Sequence, residues 1–341
     1  SFVLLCILAS CANPAKRNKN ASSRLNLCHH SKYLKVFKTE KGYQVRIQDP
    51  DRHQIIFDQE ILDGSYKMAV LSATHVGMIS ALNAEKTIVG ISDIRYVYSP
   101  KVRRLFAEKK IIELHSEQSF PVEILLTSEA NFLVYSAFSG SFPAEKRLKK
   151  LGIISIPDYD WREQSALGRA DWLLLFGVLC HKVPEAMSLL KSIETAYQRS
   201  VKKKITSIKM ISGNLTGEYW YAPAGGSFMA EIFRKSGLNY IYSETSGTGS
   251  LAYSMEKIVT DGQKTHLWLN PGFSSKELIL KANPKAKYLP FFQKGNIFCY
   301  THNGNKFWEM STLRPDWLLE DLSAIANAMN TDHLHFYREV K

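Results

Sequence analysis

Short runs of consecutive apolar residues alternate with amphipathic stretches along most of this chain. Lys67–Ser72 (KMAVLS), Ile88–Ser92 (IVGIS), Phe132–Ser136 (FLVYS) and Ile153–Pro157 (IISIP) are apolar, rich in β-branched residues and bounded by turn formers. A helical stretch, His75–Asn83, lies between the first two. This alternation predicts βαβ units around a mostly parallel sheet. A second series follows: Lys209–Gly213, Tyr240–Ser243, His266–Asn270 and Asn296–Tyr300, interspersed with helical segments at Ser227–Lys235, Met255–Thr260 and Ser274–Lys281. It predicts a second α/β lobe. Ahead of both, two alternating runs over Tyr33–Ile47 flank Glu40-Lys41-Gly42, a hairpin signal with glycine at the turn.

Between the two series, Pro184–Lys204 carries Ala186, Leu189, Leu190, Ile193, Tyr197 and Val201 at helical spacing, with Pro184 at the start and three lysines at the end. This predicts one amphipathic helix, with both ends chemically suited to their place. At about 1.5 Å per residue it is long enough to join two lobes as a stiff connection. A last amphipathic helix is expected over Pro315–Met329, where Trp317, Leu318, Leu322 and Ile325 share a face. The fold class is therefore α/β: two Rossmann-like lobes joined by a single long helix, with a ligand cleft between them.

The first residues read differently. Phe2–Leu8 is apolar, too short to span a bilayer, and runs into Leu8-Ala9-Ser10-Cys11, the pattern of a lipoprotein signal ending at a lipidated cysteine. Residues 1–10 are the expected remnant of that signal and 11–32 a lipidated flexible tether. The lobes then span 33–183 and 205–341, joined by 184–204. The expected location is extracytoplasmic, periplasm or cell surface, anchored to a membrane through Cys11.

Composition narrows the function. The 341 residues are 45% hydrophobic and 22% charged, with a net charge of +12, the balance of a globular chain large enough for two cores. The positive charge favours anionic ligands or surfaces. Its lysines are scattered, however, with no basic helix or arginine stripe, so no nucleic-acid partner is expected. Cys28, Cys180 and Cys299 are widely spaced, which fits neither a disulfide scaffold nor a zinc ribbon. Cys28-His29-His30 and His333-Leu334-His335 lie near the chain ends and are read as exposed, so no metal site and no cofactor is expected. Asp158, Asp160 and Glu163 read as acids of a solvated loop.

Two helices enter in matched register. Glu123 follows Pro121-Val122 ahead of FLVYS, and Glu256 follows Ser254-Met255 ahead of HLWLN, so each lobe places a glutamate in the first turn of an equivalent helix. A carboxylate there is stabilised by the helix dipole, by about 0.3–1 kcal/mol.

In open α/β sheets, ligands bind beyond the carboxyl ends of the strands. The residues just past those ends are Thr74 and His75, then Arg95, Tyr96 and Tyr98, Phe138 and Ser139, and Tyr159 and Trp161 in the first lobe. In the second they are Trp220 and Tyr221, Phe273, then Phe307, Trp308 and Arg314. Aromatic residues crowd these positions, and Trp220, Tyr221 and Trp308 stand in segments rich in Gly, Pro or Asn. The chosen ligand contacts are Thr74, His75, Arg95, Tyr96, Tyr159, Trp220, Tyr221, Trp308 and Arg314. Large rigid apolar surfaces suit a wide flat ligand, and Arg95 or Arg314 could meet its carboxylates or phosphates. Trp172, Trp268 and Trp317 fall inside helices or strands and are expected in the core.

From Lys67 to the C-terminus the chain resembles the substrate-binding proteins of bacterial ABC importers for cobalamin, ferric siderophores and haem. The stretches that carry this resemblance are Ser72-Ala73-Thr74-His75, Ala81-Leu82-Asn83-Ala84, Ile88-Val89-Gly90-Ile91, the Glu123 and Glu256 helix entries, Gly168-Arg169-Ala170-Asp171-Trp172, Trp220-Tyr221-Ala222-Pro223, and Phe307-Trp308-Glu309 before Pro315-Asp316. Asn83 stands where that family often has glycine. The resemblance implies a monomeric lipoprotein that captures a small-molecule metal complex and delivers it to an ABC permease dimer with its ATPase. It implies that Glu123 and Glu256 pair with permease arginines, and that the chain is not an enzyme. Two alternatives remain open on the residues. One is an enzyme that binds a nucleotide cofactor at Gly247-Thr248-Gly249-Ser250-Leu251-Ala252, a loose G-x-G-x-x-A. The other is a surface lipoprotein with no role in transport.

Overall fold

The computed structural model describes residues 25–115, 122–138, 142, 144–301, 306–327 and 331–341. Cys11, the signal remnant, the tether up to Arg24, and Ser139 lie outside the described residues. The chain opens with an antiparallel sheet of β1 (Leu34–Lys38), β2 (Gly42–Gln48) and β3 (Ile55–Leu62). The first two strands are the expected hairpin. The third was not legible, because Ile55, Ile56 and Leu62 are exposed and only Phe57 and Ile61 point inward.

The first lobe is built on β4 (Met68–Val70), α1 (Ala73–Ala81), β5 (Ile88–Ile91), α2 (Pro100–Ala107), β6 (Ile112–Glu113), α3 (Val122–Leu126), β7 (Phe132–Ser136), α4 (Glu145–Lys150), β8 (Ile154–Asp158), α5 (Ala166–Ala170) and α6 (Leu173–Leu179). Its five strands lie in the order β6-β5-β4-β7-β8, all parallel. β4, β5 and β7 are buried at every residue, as strands covered on both faces must be. Ser72 starts α1 by accepting the Thr74 N–H at 3.2 Å.

The connecting helix α7 runs Val183–Ser200, with Pro184 in its first turn and Ala186, Ile193 and Tyr197 buried. Its 18 residues make about 27 Å of rod. It stops short of the expected Lys204. Val201 turns to an extended conformation, and the Lys202 N–H donates to the Lys235 carbonyl at 2.7 Å, which pulls the chain onto the second lobe.

That lobe comprises β9 (Lys209–Ser212), β10 (Asn214–Thr216), β11 (Tyr219–Pro223), α8 (Phe228–Lys235), β12 (Asn239–Tyr240), β13 (Ser250–Ser254), α9 (Met255–Asp261), β14 (Leu267–Leu269), α10 (Lys276–Ala282), α11 (Pro290–Lys294), β15 (Asn296–Cys299), α12 (Phe307–Met310), α13 (Pro315–Ala326) and β16 (Arg338–Glu339). Its main sheet has the order β12-β9-β14-β15-β16, parallel except for β16. β10, β11 and β13 form a separate antiparallel sheet. Serine side chains cap α8, α9 and α10, from Ser227, Ser254 and Ser275. Trp268 is fully buried against Trp220 and Phe291, and Trp172 is fully buried in the first lobe.

The expected tether ends earlier than Lys32. Asn26 bridges to Phe37 and Cys28 is buried. Asp171 accepts the N–H groups of His30 and Ser31 at 2.6 and 2.8 Å, while Glu163 takes the Ser31 hydroxyl, the Lys32 N–H and the Trp172 indole N–H. Two buried carboxylates thus fasten this segment to the first lobe, a pairing across most of the lobe that no local pattern announces.

Candidate functional site

The strand order reverses between β4 and β7 in the first lobe and between β9 and β14 in the second. Crevices at such points, beyond the carboxyl ends of the strands, are where ligands bind in this architecture. α1 begins at the first of them, and β10–β11 rise from the second through Gly213, whose φ is +127°. A side chain there would collide with the Tyr221 carbonyl, 2.1 Å from a Cβ.

Four of the nine residues chosen as ligand contacts are buried. His75 is inaccessible, its Nε2 3.0 Å from an Asp158 carboxylate oxygen and its ring against Phe176. Thr74 is buried, and its hydroxyl donates to the Trp308 carbonyl at 3.0 Å. Tyr159 is buried with its hydroxyl 3.5 Å from Asp49 of the N-terminal region, and burial beside that carboxylate pushes the phenol up to about 12. Trp220 is a core residue of β11, its indole N–H on the Ser212 carbonyl at 3.3 Å. The turn-rich surroundings of Trp220 read as a loop, but antiparallel pairing to β10 on one side and β13 on the other makes them a sheet.

The acids expected on a solvated loop are buried as well. Asp158 holds His75, Asp160 pairs with Arg169 at 2.7 Å, and Glu163 anchors the N-terminal segment. Burial raises the carboxyls of both Asp158 and Glu163 above the ordinary carboxylate range. At Asp158 the charge of Asp160 adds to this and His75 opposes it, and at Glu163 the hydrogen bonds oppose it.

Other expected contacts are accessible. Tyr96, Phe138, Tyr221 and Trp308 are 56, 65, 40 and 50% exposed, two from each lobe. Phe138 lies on Trp161, ring centroids 4.9 Å apart, and the Arg162 guanidinium lies over the same indole. Arg95 is exposed but already engaged by Asp93, 2.9 Å away. Arg314 is held by Asp316 at 2.7 Å and stacks on Trp317 at 3.6 Å. Each arginine therefore already commits its Nε and Nη2 edge to its own aspartate.

The lobes touch beside these aromatics. Besides the Thr74–Trp308 bond, the buried Glu309 carboxylate accepts the Tyr98 and Ser99 N–H groups at the start of α2, the second at 3.2 Å. Gly77 of α1 is packed so closely that a Cβ would lie 1.9 Å from the Glu309 carbonyl. On the other flank the Ala166 N–H donates to Glu231 at 3.0 Å, and Arg169 stacks over Phe228 at 4.3 Å. None of these interlobe pairs was expected from sequence. Cavities of about 310 and 300 Å³ lie on the α7 side, around His30 and Glu194 and around Gly77 and Leu189. Of the nine chosen contacts Arg314 lines the second cavity, as does Tyr98 from the wider set past the strand ends.

Glu123 and Glu256 are exposed in the first turns of α3 and α9. Glu123 pairs with Arg147 of α4. Glu256 is held below the ordinary carboxylate range by backbone and Ser254 hydrogen bonds, with help from Lys285. The glycine-rich 247–252 segment runs into strand β13, not into a helix, so it lacks the strand-turn-helix of a dinucleotide site. Among the described residues, no three histidines, cysteines or carboxylates converge on a metal position, and no helix is long and apolar enough to cross a membrane.

No protein-family model matches the chain. It is 24% identical over 324 residues to an uncharacterized lipoprotein of Methanocaldococcus jannaschii, an alignment covering 89% of this chain and 77% of the relative. Among solved structures it is similar to a periplasmic haem-binding protein of Vibrio cholerae, with 19% identity, a TM-score of 0.58, and coverage of 77% of this chain and 99% of that one. It is also similar to a periplasmic vitamin B12-binding protein of Vibrio cholerae, at 12% identity and a TM-score of 0.54, covering 77% of this chain and 97% of that one. The chain has the fold of these periplasmic binding proteins, two α/β lobes joined by a helix.

Proposed function

We propose that this chain is the solute-binding component of an ABC importer and captures a bulky metal complex between its lobes. The ligand class is an iron complex, either a ferric siderophore or haem, or else cobalamin. The observation that supports the reading is that both lobes expose aromatic side chains past their strand ends, Tyr96 and Phe138 on the first and Tyr221 and Trp308 on the second, with the Trp308 backbone tied to the first lobe through Thr74. Rigid aromatic walls bury a wide apolar guest at little cost in conformational entropy. Arg95 and Arg314 are candidate anchors for acidic groups on such a guest, and no chemistry is performed on it.

The rest of the reading follows from this role. Cys11 carries the lipid that keeps the protein at an extracytoplasmic membrane face, where it works as a monomer. Glu123 and Glu256 dock on arginines of the permease dimer. Two exposed ion pairs far apart fix orientation while each adds little affinity, so the emptied protein can leave. Titration of tryptophan fluorescence with ferric siderophores, haem and cobalamin tests the proposal. Saturable quenching by one of them at micromolar concentration is the expected result, and no response to any would favour a surface lipoprotein outside transport. A thermal-shift screen with nicotinamide dinucleotides separates the enzyme alternative, which stabilisation by one of them would support.

A further inference from the structure

The surroundings of the two exposed glutamates share a composition that pairing with arginines does not explain. Contrary to the expectation of scattered lysines, α4 beside Glu123 is a basic helix that carries Lys146, Arg147, Lys149 and Lys150 against a single carboxylate, Glu145. Beside Glu256, the segment from Lys276 to Tyr288 carries Lys276, Lys281, Lys285 and Lys287 against Glu277. Lys285 ties this segment to the β10–β11 turn through Glu218 at 2.6 Å. Lys146, Lys149, Lys150, Lys281 and Lys287 make no ion pair among the described residues. A docking face built only for cationic permease residues would not be ringed by unpaired cations.

Apolar side chains stand exposed among these charges on both lobes. Ile124 and Leu126 project from α3, and Leu151 from the end of α4. On the second lobe Leu278 and Tyr288 are exposed, and the Lys287 ammonium lies 5.0 Å from the Tyr288 ring. Leucine, isoleucine and tyrosine interleaved with lysine suit the boundary between headgroups and acyl chains, where cations meet lipid phosphates and apolar tips enter the interface.

We propose that the faces bearing Glu123 and Glu256 rest on an anionic lipid surface. Each glutamate is then left for a protein arginine while the surrounding lysines engage phosphates of the bilayer. Binding is peripheral and driven by charge, and shallow insertion of Leu278, Tyr288, Ile124 and Leu126 strengthens it. The inference rests on the extracytoplasmic reading but not on ligand identity, so vesicle binding and ligand titration can fail independently.

The test uses the full chain with Cys11→Ser, which cannot be acylated, in flotation with vesicles of phosphatidylcholine or of phosphatidylglycerol. Expected is flotation with phosphatidylglycerol vesicles only, reduced by about tenfold or more on combining K149E, K150E, K281E and K287E. The variant L278S/Y288S, which leaves charge unchanged, should also weaken binding, whereas K202E/K203E/K204E, past the end of α7, should not. Circular dichroism verifies that each variant folds. Absence of flotation with phosphatidylglycerol, or flotation unaffected by the fourfold reversal, would overturn the proposal. Binding insensitive to L278S/Y288S would overturn it too, leaving only adsorption of a cationic protein.

Discussion

His75 and Asp158 form a pair with no solvent exposure on either side chain, Nε2 to Oδ2 3.0 Å, across the start of α1 and the end of β8. The pair lies buried at the carboxyl edge of the first sheet, closed to any ligand. Asp160 and Arg169 extend the same polar layer toward the second lobe, where Arg169 meets Phe228.

Removing one member should cost more than removing the charge. Asp158→Ala strands an imidazole in the core and is expected to lower unfolding free energy by about 3–5 kcal/mol. Asp158→Asn keeps an acceptor and should cost less than half of that. Urea denaturation of the two variants checks the order; equal losses would mean that a neutral acceptor does nothing for the buried imidazole.

The contact between α1 and α12 sets a second expectation. Gly77→Ala puts a methyl where the Glu309 carbonyl stands 1.9 Å away. Either the lobes separate or the helix shifts, at a cost on the order of 1–3 kcal/mol. A lowered urea midpoint together with a larger radius of gyration by small-angle X-ray scattering is the predicted outcome, and a variant unchanged in both would show that the lobes do not bear on one another there.

Glu309 also makes stability depend on pH. Burial raises its carboxyl above the ordinary range, against the Tyr98 and Ser99 N–H groups and the charges of Lys306 and Arg103, which act the other way. A raised value in the fold means the folded state keeps a proton that the unfolded chain has lost. The contribution is then full below the ordinary carboxylate range and fades as pH climbs through the raised value. The stability of the wild type relative to Glu309→Gln should therefore decline between about pH 4 and pH 7. A difference independent of pH over that window would refute this assignment.

Much of the frame was legible in the sequence. The buried parallel strands announce themselves as apolar runs, and α7 through its spacing and Pro184. Polar side chains at strand ends were misread, because folding buries them against charged partners: His75 beside Asp158, and Asp160 beside Arg169. Pattern alone assigns the acids to water and His75 to a ligand. Trp220 was misread for a different reason: Gly217 and Gly225-Gly226 frame it like a loop, while burial against Trp268 and Phe291 makes it core. The exposed aromatics Tyr96, Phe138, Tyr221 and Trp308 were all among the positions expected past the strand ends.

Docking can be separated from capture. Reversing both Glu123 and Glu256 to lysine should leave ligand affinity unchanged, since neither lies among the cleft aromatics, and should abolish uptake in a cell that depends on this importer. Uptake at the wild-type rate would remove both residues from docking.

The most direct test of the central claim is the affinity of the wild type and of Trp308→Ala for ferric siderophores, haem and cobalamin, measured by isothermal titration calorimetry. One of these classes is expected to bind with a dissociation constant of about 1 µM or tighter, and Trp308→Ala to weaken it by about tenfold through the loss of one aromatic wall. Failure of all three to bind, or an affinity untouched by the substitution, would contradict a guest held between the lobes.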